Sequence, residues 1–496
     1  MIAAVPPPPH GLRFSDRHFY PLAATVVAIA AFNLAWRLGS EVVSEWDESL
    51  YAMSAWEMAT SGQWIGTTFL GHLDYYNVKP PLNVWLIALT FKTFGVNLVS
   101  LRIVSAVASC CTVFVLQLWG RRVLQSAAAA LVAGIVLSTS FAFVYVHAGR
   151  SGNTDSLFTL LILWTVVILW AAQDRAWNIV WLGPTLAAAF LLKGMGVLMP
   201  ATIVAAVETW RSMQGRRRTW MPALCGVALF IVPVGAWVWA RWQLDRSNLF
   251  EKLFFYDFVA GTSTPLEGHY GGVLYYANVL QKYHYDWLIG AAAGLFAAGA
   301  TWRGVKARLQ AATGETKILL CAWAAATVLI PTVMRTKNPW YLQPFYPLYA
   351  LAIGWLISCA YDIARPRRDT LRPALVLLAC IVVFGVAEGR LIAYSHWRRD
   401  IDQSAQGVLL AERHRLTSHR IYRLRWNYAD IFVVRALAGA EHLVVADFSS
   451  LSSHIKPGDF YLSPTPSTFD GFVLVRSNGT AWLYQRCQTA ECTDTR

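Results

Sequence analysis

Residues 126–146 read SAAAALVAGIVLSTSFAFVYV, and residues 156–173 read SLFTLLILWTVVILWAAQ. Neither run holds a charged side chain, and each is close to the roughly 20 residues that carry a helix across a hydrocarbon core. Only the polar turn from His147 to Asp155 separates them, so the pair reads as a membrane hairpin. Working outward, similar runs recur at 20–38, 101–119, 177–192, 195–210, 220–240, 286–301, 318–334, 344–361 and 374–389. The expectation is a polytopic α-helical membrane protein with about 11–13 spans. Composition agrees: of 496 residues, 56% are hydrophobic and 14% charged, against about 25% charged in soluble chains. The 23 Trp and 20 Tyr suit a chain with many membrane–water interfaces, where these rings settle.

The net charge of +13 would raise nucleic acid as a partner in a soluble chain. Here the basic residues are expected to orient the spans, and no nucleic-acid partner follows. With the N-terminus in the cytoplasm, Arg121-Arg122, Arg175, Arg211 with Arg216-Arg217-Arg218, the loop from Arg303 to Lys317 and the loop from Arg365 to Arg372 all fall inside, as the positive-inside rule requires. Pro81 to Phe94 is apolar but short. Counting it as a crossing reverses every later loop, so it reads as a helix lying in, or only partly entering, the outer leaflet; the alternative is a true span with a compensating change elsewhere.

This threading divides the chain into a cytoplasmic arm at 1–19 containing Pro6 to Pro9, a transmembrane domain at 20–390, and a C-terminal domain at 391–496. The outer face receives a first loop at 37–81 and a large loop at 241–286. In the tail, Ser395 to His419 reads as helical. His442 to Ala446, Asp459 to Leu462 and Gly471 to Val475 read as short strands, giving a small soluble α/β domain on the periplasmic side. Cys487 and Cys492 could form a disulfide there; the other six Cys lie in apolar segments.

Unusual polar groups gather in the outer loops. Ser44-Glu45-Trp46-Asp47-Glu48 opens a helical stretch through Tyr51, and Ser44-x-x-Asp47 has the shape of a capping box. These carboxylates either cap a surface helix or do chemistry. Asp74-Tyr75-Tyr76-Asn77-Val78-Lys79-Pro80-Pro81 holds an ammonium before a helix-breaking Pro pair. Lys79 either anchors a helix end or meets a lipid phosphate. Arg150 and Asp155 in the 147–155 turn, Lys193 before Gly194, and Lys337 in Arg335-Thr336-Lys337-Asn338-Pro339-Trp340-Tyr341 add charge at other outer turns. Cations far from the cytoplasmic side ask for a reason. A phosphate leaving group supplies one, since cations neutralise its developing charge and a carboxylate can take the proton of an attacking hydroxyl. Asp47 and Glu48 are thus the candidate catalytic pair. Lys79, Lys193, Lys337 and Arg150 are the candidate phosphate ligands. Tyr51, Tyr76, Asp155, His269 and Tyr341 are candidates for the substrate pocket. No set of metal ligands stands out, although Asp47 and Glu48 could hold a divalent ion.

The loop Trp46-Asp47-Glu48-x-x-Tyr51, then Lys79-Pro80-Pro81-Leu82, Leu191-Leu192-Lys193-Gly194 and Lys337-Asn338-Pro339-Trp340-Tyr341-Leu342-Gln343-Pro344, resembles the GT-C membrane glycosyltransferases, closest to the aminoarabinose transferase and protein O-mannosyltransferase group. The resemblance covers about residues 20–360. It implies that Asp47, with Glu48 beside it, is the base or acceptor-orienting carboxylate. It implies that Lys79, Lys193 and Lys337 serve the lipid phosphate, and that a sugar is displaced with inversion from a polyprenyl-phosphate donor. The acceptor would be a lipid, a glycan or a protein hydroxyl. The setting it implies is a bacterial inner membrane, with the site facing the periplasm. Val78 stands where the aminoarabinose transferases usually have Glu, Leu50 where they often have Arg, and Asn338 where they often have His. These departures count against aminoarabinose or lipid A in particular. Two other classes fit a polytopic chain: a lipid or solute transporter, which would need charged or helix-broken sites near the midplane, and a non-catalytic assembly or sensor protein.

Overall fold

The computed structural model describes residues 16–215, 220–300, 314–365, 370–397 and 400–487. Residues 1–15 of the expected N-terminal arm, the Arg216-Arg217-Arg218 cluster, most of the Arg303 to Lys317 loop and Cys492 lie outside the described residues, and the first helix already begins at Asp16 rather than after residue 19. Every expected span finds a helix. In chain order these are α1 (Asp16–Ala35), α2 (Asp47–Ser61), α3 (Leu82–Phe94), α4 (Leu98–Val123), α5 (Ala127–Ser138), α6 (Phe141–Tyr145), α7 (Asp155–Ala171), α8 (Leu182–Lys193), α9 (Leu198–Met213), α10 (Trp220–Asp245), α11 (Tyr275–Ala297), α12 (Gly314–Val333), α13 (Tyr346–Ala364) and α14 (Leu371–Trp397). Among the described residues, seven helical stretches are long and apolar enough to cross a bilayer, with three shorter apolar helices beside them.

The starts are set by short polar side chains that satisfy free backbone N–H groups. Asn97 accepts from Ser100 N ahead of α4, Ser126 from Ala129 N ahead of α5, and Ser140 from Phe143 N ahead of α6. The run expected at 126–146 is therefore two helices, broken where Ser140 re-caps the chain. Small residues let helices close on one another. At Gly354 of α13 a Cβ would lie 2.4 Å from Ala129 O of α5, so only glycine permits that approach.

Two placements decide the topology. The apolar run Ala176–Met213 is 38 residues long, about twice what one crossing needs. It folds back on itself: Lys193 pairs with Asp155 at the start of α7, while Arg211 Nη2 donates to Leu169 O near the end of α7 at 2.6 Å. The reversal falls at Gly194, whose φ of 54° disfavours a side chain and where a Cβ would press on the tip of Leu253. The second placement is α3. Asn83 near its start donates to Gly152 O, and Thr90 near its end donates to Ser100 O at the head of α4. Both ends stay on one side, and its 13 residues are too short to span. Helix α11 starts at Tyr275, so the large loop is shorter than the expected 241–286, and Tyr283 to Asp286 belong to the helix.

The first loop carries a small hairpin, β1 (Thr68–Phe69) with β2 (His72–Leu73). The tail forms a five-stranded sheet from β3 (Arg420–Arg423), β4 (Glu441–Val444), β5 (Phe460–Ser463), β6 (Phe472–Ser477) and β7 (Trp482–Arg486), in the order β4-β3-β5-β7-β6. Strand β3 is parallel to both neighbours, and β7 is antiparallel to both of its own. Sequence reading finds β4, β5 and β6 but not β3 or β7. The helix expected from Ser395 to His419 is broken: α14 runs on to Trp397, and short helical turns follow. Cys487 is disulfide-bonded. The sheet domain shares a core with the first loop. Phe91 of α3 stacks on Phe432 at 6.3 Å, Arg37 pairs with Asp400 at 2.8 Å, and Val43 N–H donates to Gln406 at 2.8 Å.

Candidate active site

A cavity of about 500 Å³ opens where the first loop, the 147–155 turn, the Lys193-Gly194 reversal and the segment after α12 converge. Asp47 is the first residue of α2, and its side chain is 38% exposed toward this space. The turn into α2 is strained. Trp46 has φ 70°, a region that a residue with Cβ rarely adopts. The N-cap position falls on Trp46 rather than on Ser44 as the expected capping box would have it. The Glu48 carboxylate reaches back to accept Ser44 N–H at 2.7 Å.

Asp155 is the first residue of α7 and Lys193 the last of α8, and the two form an ion pair in the cavity wall. Between Asp155 and Asp47 lies His147. Its Nδ1 is 3.9 Å from one carboxylate and 4.0 Å from the other. Burial lowers its pKa, with Asp47 and Asp155 opposing that shift. Lys79, Tyr76, His269 and Tyr341 also line the cavity. Asp74 shapes the turn before Lys79 by accepting from Tyr76 N and Asn77 N; burial raises its pKa. Leu198, Met199, Ile330 and Met334 give the cavity an apolar side.

Four candidates fall elsewhere. Glu48 is fully buried, accepts from Arg102 Nε at 2.8 Å and from Gly152 N at 3.0 Å, and so ties α2 to the 147–155 turn. Arg150 is buried too. It pairs with Glu41 and donates to Asn33 O and Trp36 O, closing the end of α1. Lys337 gives its ammonium to the carbonyls of Pro331, Thr332 and Met334 at the end of α12. Burial, with Arg335 nearby, lowers its pKa. Tyr51 packs in the core between α2 and α3 rather than lining the cavity. Among the described residues no group of three or more His, Cys, Asp or Glu side chains is gathered as a metal site.

The whole architecture matches ArnT from Cupriavidus metallidurans bound to undecaprenyl phosphate, with TM-score 0.72 over 97% of this chain and 100% of that one, at 14% identity. The fold is that of the GT-C membrane glycosyltransferases. The apo oligosaccharyltransferase of Archaeoglobus fulgidus shares it at TM-score 0.58 and 13% identity, over 91% of this chain and 70% of that one. By sequence, a family described as dolichyl-phosphate-mannose-protein mannosyltransferase matches residues 78–237. An undecaprenyl phosphate-alpha-4-amino-4-deoxy-L-arabinose arabinosyl transferase of Pseudomonas savastanoi is 34% identical over 46% of this chain and 43% of its own length. A second transferase of that name, from Pseudomonas fluorescens, is 26% identical over 70% of this chain and 60% of its own. The chain thus spans about half the length of these relatives.

Among the residues of this GT-C cavity that sequence reading passes over, four stand out. Glu45, Trp340 and Glu267 line it, although all three stand in segments already singled out. His147 is a fourth. A titratable ring at the end of a charge-free run, in a turn that also holds Asp155, was the available signal.

Proposed function

We propose that this chain is an inverting glycosyltransferase. It moves a sugar from a polyprenyl phosphate to a hydroxyl or phosphate acceptor at the periplasmic face of a bacterial inner membrane. The observation that carries this reading is the meeting of Asp47, Lys79 and Lys193 in one cavity with an apolar side. The first two come from the first loop, and Lys193 comes from the reversal more than 100 residues further on.

In this reading the acceptor oxygen attacks the anomeric carbon from the side opposite the phosphate. Its proton passes to Asp47. The bond from the anomeric carbon to the phosphate oxygen breaks, and the polyprenyl phosphate leaves with its charge met by Lys79 and Lys193. Lys193 has three donors, of which Asp155 engages part, so the pair holds the ammonium in place for the phosphate. Charge supports the periplasmic orientation: Arg121 lies over Phe19 at 4.7 Å, and Arg211 lies near Leu169, both at the end away from the cavity. That end is then cytoplasmic. The relatives named for aminoarabinose transfer support a polyprenyl-linked donor. Val78, Leu50 and Asn338 leave the sugar open.

The test is transfer by purified protein in proteoliposomes, from a panel of radiolabelled polyprenyl-phosphate sugars to membrane extract. Asp47→Asn is expected to lower kcat by about 10²–10⁴-fold, and Lys79→Ala to weaken both donor binding and turnover. Assays with and without EDTA decide whether a divalent ion joins Asp47. Transfer that survives Asp47→Asn intact would remove Asp47 as the base. Movement of the lipid across the bilayer without transfer would favour a flippase.

A further inference from the structure

Five aromatic rings from three distant stretches of chain meet beside the cavity mouth. Tyr76 stacks on Tyr428 at 6.4 Å with planes 11° apart, and Trp46 lies 5.6 Å from Tyr428 and 6.0 Å from Tyr76. Phe69 lies 5.5 Å from Tyr428 and Trp426 5.7 Å from it. Three of the rings are nonetheless open to solvent: Trp46 and Trp426 are 50% exposed and Tyr76 is 43% exposed. A large aromatic patch kept in water marks a binding surface more often than chance.

This patch is built, not incidental. Glu45 accepts Tyr428 N–H at 2.8 Å, which fixes the sheet domain's ring over the first loop. Asn427 caps the helical turn that carries Tyr428 by accepting from Asp430 N. Tyr76 donates its hydroxyl to Glu267 at 2.8 Å. The Trp46 backbone is strained into φ 70°, so its indole faces this cluster while the next residue, Asp47, faces the cavity. Glu45, Trp46, Tyr76 and Glu267 all line the same cavity as Asp47. The patch is therefore continuous with the approach to the proposed base.

We propose that these rings form the acceptor subsite and that they bind a sugar ring, so that the acceptor is a saccharide-bearing molecule. A pyranose has an apolar C–H face that lies on an aromatic plane and hydroxyls around its edge that donate to carboxylates. Trp46, Tyr76, Trp426 and Tyr428 supply the planes, and Glu45 and Glu267 supply acceptors beside them. Lipid phosphates are disfavoured by those carboxylates. An extended peptide is held by a row of backbone groups, whereas this patch offers ring faces and carboxylates. The subsite needs both parts of the chain, so the C-terminal domain completes the acceptor site by bringing Trp426 and Tyr428 to the first loop.

This inference rests on the proposed transfer reaction, and the experiment separates the two. Trp426 and Tyr428 stand outside the Asp47–Lys79–Lys193 group. Trp426→Ala and Tyr428→Ala are expected to raise the acceptor KM about tenfold with donor KM and kcat kept. Trp426→Phe should recover most of the loss, and Trp177→Ala, an exposed Trp elsewhere (61% exposed), should change nothing. Direct binding is read by saturation-transfer NMR with free oligosaccharides of two to four residues. Wild type should bind and Trp426→Ala should not, whether or not any donor is turned over. Unchanged acceptor KM in both alanine variants overturns the proposal, as does efficient transfer to a peptide hydroxyl that ignores them. Oligosaccharide binding without transfer from any donor would keep the subsite and overturn the transferase reading instead.

Discussion

The imidazole of His147 lies flat on the indole of Trp340, with centroids 3.7 Å apart and planes 9° from parallel. That stack covers much of the ring beside two carboxylates, leaving its side chain 22% exposed, and burial prevails in lowering its pKa from 6.5. The unfolded chain then binds a proton that the folded ring refuses. Stability from this residue is present above pH 6.5 and is lost as pH falls toward the folded value. His147→Gln should therefore shrink the loss of thermal stability between pH 7.5 and pH 5.5, read as Tm in detergent at both pH values. An equal acid loss in wild type and variant would contradict the burial account.

Lys193 and Asp155 form a pair whose side chains are 15% and 4% exposed. Removing the ammonium alone leaves a buried carboxylate uncompensated, at about 3–5 kcal/mol. Lys193→Met should lower Tm and transfer together. Lys193→Met with Asp155→Leu should recover much of the stability while transfer stays low. Recovery of transfer in the double variant would show that Lys193 serves only the fold.

The membrane architecture is legible because burial in lipid demands charge-free runs of fixed length, and the 126–146 and 156–173 stretches announce it. The hairpin of α8 and α9 is legible through Lys193-Gly194, since a charged residue and a left-handed glycine interrupt an apolar run. The site is only half legible. Asp47 and Glu48 are adjacent, yet a helical step of about 100° sends one to the cavity and the other into the protein. Arg150 and Lys337 look available in sequence because helix-end carbonyls, which every residue has and no residue type reveals, take up their donors, together with the distant Glu41 in the case of Arg150. Tyr428 joins the site only through docking of a distant domain, for which the chain offers no local signal.

Glu48 and Arg102 make the most enclosed ion pair of the first loop, both side chains 0% exposed. Glu48 also accepts from Gly152 N, so it sets the distance between Asp47 and the turn carrying His147 and Asp155. Glu48→Gln should destabilise the protein by about 3–5 kcal/mol, where Asp47→Asn, at a half-open position, should leave Tm nearly unchanged. Melting curves of the two purified variants, taken side by side, check this. A stable Glu48→Gln protein without activity would return Glu48 to the catalytic group.

Lys337 offers the sharpest contrast between a charge's appearance and its use. Its ammonium sits on three carbonyls that end α12, where a cation compensates groups that have no helical partner. Losing it should cost about 1–2 kcal/mol and loosen the turn before Trp340, the ring against which His147 rests. Lys337→Met is thus expected to lower Tm by a few degrees and reduce kcat moderately. Its affinity for the polyprenyl phosphate, measured by quenching of intrinsic Trp fluorescence, should match wild type. A loss of lipid affinity comparable to that of Lys79→Ala would place Lys337 on the phosphate after all.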